Sequence, residues 1–187
     1  MPEFAQTIRA RFGDGILLAE DAASTPPTLV LDPARLLEVC EFLHDDAAHW
    51  FDFLSCLTAV DNGPEAGTLE VIYHLHSLPH DHHLTLKVRL PRNAAGEPLP
   101  EAPSVIPIWP GADWHEREAF DLIGIRFVGH PHLRRILCPD DWHGHPLRRD
   151  YVVQPVYHGL PVPYDQHNER NGHQPARDVR PAFGERA

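Results

Sequence analysis

An α+β fold is what this sequence predicts: a small, mostly antiparallel sheet covered by helices, followed by an extended C-terminal segment and tail. Three observations predict it. Residues 69–76 and 83–90 alternate apolar and polar side chains with the period of a half-buried strand, and a short polar link separates them. Residues 33–47 repeat apolar side chains at helical spacing. A second helical stretch, residues 114–123, ends at a glycine suited to stopping it. Hairpin strands and amphipathic helices that must each bury one face give a sheet with helices on one side.

The elements follow in order. Phe4 to Phe12 is predicted as a short helix closed by Gly13, and Thr28 to Leu31 is a short β-prone run. Asp32 then offers a helix N-cap and Pro33 occupies the first helical position. Leu36, Cys40, Leu43 and Ala47 share one helix face while Glu38, Glu41 and Asp45 lie elsewhere on the cylinder. Trp50 to Val60 is apolar on nearly both faces, the pattern of a central strand. In the hairpin, Leu69, Val71, Tyr73 and Leu75 point one way and Glu70, His74 and His76 the other; Leu84, Leu86, Val88 and Leu90 then alternate with His83, Thr85, Lys87 and Arg89. The link Pro79-His80-Asp81-His82 is of hairpin length.

From Asn93 to Pro110 dense prolines keep the chain extended until Trp109-Pro110-Gly111 turns it. Asp113-Trp114-His115-Glu116 has the pattern of a capping box, Asp113 accepting from the first turn and Glu116 reaching back. Acidic groups then crowd the first two turns, where the helix dipole favours them. Beyond about residue 151 few apolar side chains remain, so the tail is expected to be disordered or to lie along a partner. The division expected is an α+β domain over residues 1–128 and a docking segment with tail over 129–187.

Composition excludes several function classes. The 187 residues, 42% apolar, suffice for one core. No run approaches the roughly 18 apolar residues of a membrane-spanning helix, and the start, MPEFAQTIRARF, lacks a secretory apolar segment, so a soluble chain is expected. Cys40, Cys56 and Cys138 lie far apart without C-x-x-C spacing, against a disulfide framework or zinc ribbon. They also fall short of the four thiolates of a usual iron–sulfur cluster, and no cofactor is expected in this chain. Of the net charge of −11, nearly all sits in residues 1–110, which carry 16 acidic and 6 basic side chains. With no basic patch, nucleic acid is not expected as a partner. Lys87 is the single lysine, so the other cations are guanidinium forks suited to bidentate pairing with carboxylates.

Two candidate chemistries are weighed and set aside. His74 and His76 share a strand face near His80, His82 and His83, an H-x-H pattern for a metal, but a solvated strand face explains it and Lys87 is expected near His74, where a cation opposes metal binding. Glu118 and Asp121 share a helix face beside Glu116, as paired carboxylates for acid–base work would, yet a capping acid and ion pairs account for them. There is no nucleophile elbow, phosphate loop or H-E-x-x-H helix. No catalytic, cofactor-binding or metal-ligating residue is expected.

The stretch 129–150, GHPHLRRILCPDDWHGHPLRRD, nearly repeats itself. Glycine permits a tight turn, proline holds the preceding histidine extended, and each extended Arg-Arg pair sends one fork to each side. One fork of each pair is expected to lock onto this chain's own acids and the other to face outward. Cys138-Pro139-Asp140-Asp141-Trp142 between the repeats is a turn whose aspartates can bond nearby N–H groups. The result is a stiff, irregular ledge bearing arginines and Trp142, the residue types of interface hot spots.

Glu116-Arg117-Glu118, Asp121-Leu122-Ile123, then His130, Leu133, Arg134, Arg135 and Ile136-Leu137 closely resemble the signature of the C-type subunit of respiratory complex I, the proton-pumping NADH:quinone oxidoreductase. Pro139-Asp140-Asp141-Trp142, Gly144-His145-Pro146-Leu147-Arg148-Arg149-Asp150-Tyr151, Tyr157-His158-Gly159 and Val162-Pro163 are similar to the same family. The resemblance is specific over residues 109–163; before that it rests on a similar order of elements. It implies a non-catalytic subunit of the hydrophilic arm, in its unfused form, packed chiefly against the quinone-site subunit, with FMN and iron–sulfur clusters held in partner subunits. It also implies a peripheral place on the cytoplasmic face of the bacterial inner membrane, reached through partners. Glu116, Glu118 and Asp121 are then expected to pair internally, with Arg117 part of the same structural motif. His130, Arg134, Arg135, Asp140, Asp141, His145, Arg148, Arg149 and Asp150 are expected to form the clamp, with Trp142 beside them as an interface residue. The alternatives are a stand-alone metal-dependent enzyme built on His74, His76, His130 and His145, and the equivalent subunit of a related membrane-bound hydrogenase.

Overall fold

The computed structural model describes residues 2–94 and 96–162. The described residues fall into two units, divided between Tyr151 and Val152. In the first, α1 (Pro2–Phe12) leads to β1 (Leu17–Asp21) and β2 (Thr28–Leu31), a 3-10 turn over Pro33–Arg35 runs into α2 (Leu36–Asp45), and β3 (Phe53–Asp61), β4 (Thr68–Ser77) and β5 (His82–Pro91) follow. Then come β6 (Glu101–Pro103), α3 (Ala112–Ile123) and β7 (Arg126–Val128). The second unit, within its described residues, is a small antiparallel hairpin of β8 (Val156–Tyr157) and β9 (Leu160–Pro161). The expectation for the rest of the tail, including Pro163, lies outside the described residues.

The main sheet has the order β1-β2-β5-β4-β3, with β2–β5 parallel and the other pairs antiparallel, so the fold is α+β with a mixed, mostly antiparallel sheet. The alternation in the two hairpin strands sorts as their sequence requires. Leu69, Val71, Tyr73, Leu75, Leu84, Leu86, Val88 and Leu90 are all buried and join Leu36, Val39, Cys40 and Leu43 of α2 in one core. The opposite face is polar, and its half-sunk Glu70 takes Lys87 and Arg89 as partners, both at 2.9 Å. Burial alone raises the Glu70 carboxyl, but those two cations outweigh it and leave its pKa below the ordinary value.

Local signals place the helices. Gly13, at φ 90, closes α1 by donating its N–H to the Arg9 carbonyl at 2.7 Å. Asp32 caps the turn into α2 by accepting from the Ala34 N–H at 2.9 Å. Gly124, at φ 78, ends α3 and donates to the carbonyls of Ala119 and Phe120.

Three expectations are corrected. The run 50–60 does not become a central strand: β3 is the edge of the sheet, and its apolar character is explained by α3, which packs along it. A bulge at Ser55, whose hydroxyl donates to the His74 carbonyl at 2.9 Å, interrupts its ladder. Second, β1 and the parallel β6–β7 pair arise in stretches where the sequence predicts no strand. Third, Asp113 and Glu116 form no capping box. Helix α3 starts two residues early with Gly111 at its N-cap, and carbonyls of Trp109 and Pro110 satisfy the N–H groups of Ala112 and Asp113.

Relieved of capping, Glu116 is fully buried, and its Oε1 accepts the Val105 N–H at 2.7 Å. Its Oε2 and the buried Tyr73 hydroxyl have no hydrogen-bond partner among the described residues. Burial, reinforced by Asp113, pushes the Glu116 carboxyl up to about 7. A carboxyl raised on folding makes the native state bind the extra proton, so its contribution to stability falls as pH climbs from the ordinary value of 4.5 to about 7. Glu116→Gln removes that dependence. The stability of the variant relative to wild type, followed by denaturant titration, is expected to rise by up to about 3 kcal/mol between pH 5 and pH 8; a pH-independent difference contradicts the assignment.

Candidate functional site

The ledge begins where α3 ends. Because α3 ends at Ile123, Asp121 falls in its last turn, where the helix dipole opposes a negative charge. Its side chain is fully buried and yet ionised, because donors converge on it. Oδ2 accepts the N–H groups of Ile136, Leu137 and Cys138 at 3.1, 2.8 and 2.8 Å, and Oδ1 accepts Arg135 Nη1 at 2.6 Å. Burial raises the carboxyl, but these bonds outweigh it and hold its pKa below the ordinary value of 3.8.

The same ledge satisfies the carbonyls that the end of α3 leaves without helical partners. His145 Nδ1 lies 2.9 Å from the Asp121 carbonyl oxygen, which requires the hydrogen to sit on Nδ1. The Leu147 N–H donates to the Leu122 carbonyl at 2.9 Å. Arg148 donates from Nε to the Ile123 carbonyl, and from Nη2 to the Gly124 carbonyl at 3.2 Å and to Asn93 Oδ1 at 2.7 Å. Burial, with Arg92 nearby, lowers the Arg148 pKa, and likewise burial keeps His145 neutral by lowering its own. Gly124 is needed for this approach: a Cβ there would stand 2.5 Å from the His145 ring. Arg135 Nη2 completes the lock on the Gly144 carbonyl at 2.9 Å.

A second buried carboxylate, Asp61 at the end of β3, anchors the far end of the ledge, and nothing in its local sequence marks it. It accepts Arg92 Nε at 2.9 Å and Nη2 at 3.2 Å, the Gly63 N–H at 3.0 Å and the Arg149 N–H at 2.9 Å. Arg92 also pairs with Asp150. Burial raises Asp61, but the Arg92 fork and the two N–H groups bring it below the ordinary value. At the other end of α3, His130 Nε2 lies 3.0 Å from Asp113 Oδ1 and 3.3 Å from the Asp113 carbonyl oxygen, while its Nδ1 accepts the His132 N–H at 2.9 Å.

The arginine pairs therefore split as expected in form but not in partner. Arg135 locks onto an acid, whereas Arg148 locks onto carbonyls and an amide; Arg134 and Arg149 are the exposed members. Arg117 is buried at the base of the ledge, its guanidinium over the Trp114 ring at 4.9 Å. Glu118 and Asp121 do not come together: Glu118 is exposed and lines a shallow pocket between β3 and α3 with Leu57, His115, Leu122 and Leu147. Asp140 and Asp141 sit exposed at the turn closed by the Trp142 N–H on the Pro139 carbonyl. Trp142 itself turns inward and donates its indole N–H to the Tyr151 hydroxyl at 2.8 Å. On α3 the outward tryptophan is Trp114, 64% exposed; Leu137 and Leu147 of the ledge are exposed as well. His130 and His145 sit at opposite ends of a helix roughly 17 Å long, so they do not share a metal.

Loss of the Asp121 carboxylate leaves the Arg135 cation without its counter-charge and three N–H groups unpaired. Asp121→Ala is expected to destabilise the chain by roughly 3–5 kcal/mol in denaturant titration. With both aspartates lowered on folding, their contribution is complete above about pH 4 and is lost as pH falls through their folded values. The acid limb of the stability curve, below pH 4, is therefore expected to flatten in the variant; an unchanged acid limb contradicts this.

The family described as respiratory-chain NADH dehydrogenase, 30 Kd subunit, matches residues 29–157, from β2 through the ledge. The C-type subunit of the NADH-quinone oxidoreductase of Chloroherpeton thalassium is 44% identical over 160 residues, 85% of this chain and 64% of that protein. Its counterpart in Chlorobium phaeobacteroides is 40% identical over 84% of this chain and 92% of its own length, and that of Moorella thermoacetica 43% identical over 82% and 97%. The fold is similar to that of a chain from the membrane-bound sulfane sulfur reductase, an archaeal respiratory membrane complex, with a TM-score of 0.65 at 22% identity, covering 81% of this chain and 85% of that one. The chain belongs to the family of the 30 Kd subunit of respiratory-chain NADH dehydrogenase.

Proposed function

We propose that the chain is a structural subunit of the hydrophilic arm of proton-translocating NADH:quinone oxidoreductase, packed against the quinone-site subunit and required for electron transfer from NADH to quinone by the assembled complex. It supplies no catalytic residue and no cofactor; FMN and iron–sulfur clusters belong to its partners. Its place is the peripheral, cytoplasmic side of the bacterial inner membrane, held there by those partners. No helix among the described residues is long and apolar enough to cross a membrane, which is compatible with that arrangement.

The observation that carries this reading is how the family's signature residues use their hydrogen-bonding groups. Asp121, Arg135, His145 and Arg148 turn them onto their own chain, which builds a rigid ledge. What the ledge and α3 then present outward is Arg134, Arg149, Trp114, Leu137 and Leu147, a mixture of guanidinium forks and large apolar side chains suited to a protein partner.

This division changes which arginines should be tested. Arg135→Ala or Arg148→Ala is expected to weaken assembly, but through a ledge that no longer packs, with a lower Tm of the free protein. Arg134→Glu combined with Arg149→Glu leaves the internal lock in place. That double variant is expected to keep the wild-type Tm and yet lose about 2–5 kcal/mol of association. The readout is the set of oxidoreductase subunits recovered with the tagged full chain from native membranes, together with membrane NADH:quinone reductase activity. A full complement of subunits and normal activity in the double variant contradicts docking through the ledge.

A further inference from the structure

We propose that the turn end of the β4–β5 hairpin is a binding site for a divalent transition-metal ion, held by His76, Asp81 and His83. The three residues bring one ligand atom each within 4.8 Å of the others. His76 and His83 are direct partners in the antiparallel register, and their rings stack with centroids 4.0 Å apart and planes 13° from parallel. Asp81 sits in the turn with a left-handed backbone, φ 54, and its carboxylate Oδ1 lies 3.6 Å from His76 Nε2. That separation is too long for a hydrogen bond. His76 Nε2 is accordingly a buried nitrogen without a hydrogen-bond partner among the described residues, facing the carboxylate.

Two imidazoles and one carboxylate form a ligand set of borderline softness, suited to zinc and its neighbours, and three protein ligands leave a fourth position for water. Zinc bonds of about 2.0–2.2 Å place tetrahedral ligand atoms roughly 3.4 Å apart. The present spacing closes to that value by rotation of side chains, with His83 and Asp81 exposed and able to turn. The neighbouring histidines have other contacts: His74 Nδ1 is 3.1 Å from the Thr85 hydroxyl, His80 Nε2 is 3.0 Å from the Ala47 carbonyl oxygen, and His82 packs on the Phe4 ring.

Lys87, the sequence-based objection to a metal here, lies elsewhere. In the observed register it stands opposite Ile72, and its ammonium is held by Glu70 at 2.9 Å. It is four residues along the strand from His83, roughly 13 Å away. The competent pair is therefore the cross-strand pair His76 and His83, in place of the H-x-H pair His74 and His76.

The test is calorimetric titration of the full chain with zinc chloride, with circular dichroism confirming that each variant is folded. Wild type is expected to bind one saturable equivalent at this site. Asp81→Asn, which keeps the turn, and His83→Gln, which removes an exposed ring, are each expected to weaken that equivalent at least about tenfold. His143→Gln, an exposed histidine elsewhere, should leave it unchanged. The proposal is overturned if wild type binds no saturable equivalent, if either hairpin variant keeps the wild-type affinity, or if His143→Gln loses as much.

Discussion

A single carboxylate in an unfavourable place organises the functional half of this chain. Asp121 lies at the negative end of α3 and out of contact with water, two conditions that each resist ionisation. It stays charged because three consecutive backbone N–H groups and one guanidinium point at it. Those donors belong to residues 135–138, so the requirement of the carboxylate and the position of the ledge are one constraint. A segment without regular secondary structure is thereby fixed by groups that would otherwise be costly on both sides.

The end of the same helix supplies the second part of the attachment. Carbonyls that no helical turn can satisfy are taken up by His145, Leu147 and Arg148, and the cation of Arg148 lies where the dipole favours it. Asp61 repeats the device at the end of β3, joining Arg92 of the sheet region to the backbone of Arg149. Two buried aspartates thus hold the ledge, Asp121 at residues 135–138 and Asp61 at Arg149. Each Arg-Arg pair puts one fork into this framework and leaves one outside, so that rigidity and recognition are adjacent in sequence yet separate in role.

Much of this is legible in the sequence, for identifiable reasons. The period-2 runs around Tyr73 and Leu86 and the glycines that close α1 and α3 act through local geometry, and local geometry is what a sequence displays. The ledge is visible as a composition, with the repeated Gly-His-Pro and Arg-Arg marking it. Its partners are not: the bond between Asp61 and the Arg149 N–H spans 88 residues, and Asp61 by itself has the appearance of an ordinary turn acid before Asn62-Gly63. Asp113 and Glu116 mislead because backbone carbonyls of the preceding turn have already taken the donors they would have capped. Trp142, expected on the outward side of the ledge, turns inward because its indole N–H finds the Tyr151 hydroxyl, a partner no spacing rule includes.

If the Asp121 carboxylate holds the ledge, the amide hydrogens of Ile136, Leu137 and Cys138 must be protected although they belong to no helix or strand. Hydrogen exchange of the full chain at neutral pH measures this residue by residue. The account predicts protection of these three amides comparable to that of the last turn of α3, and its collapse in Asp121→Asn. Exchange of the three at the rate of an open loop in the wild-type chain would contradict it.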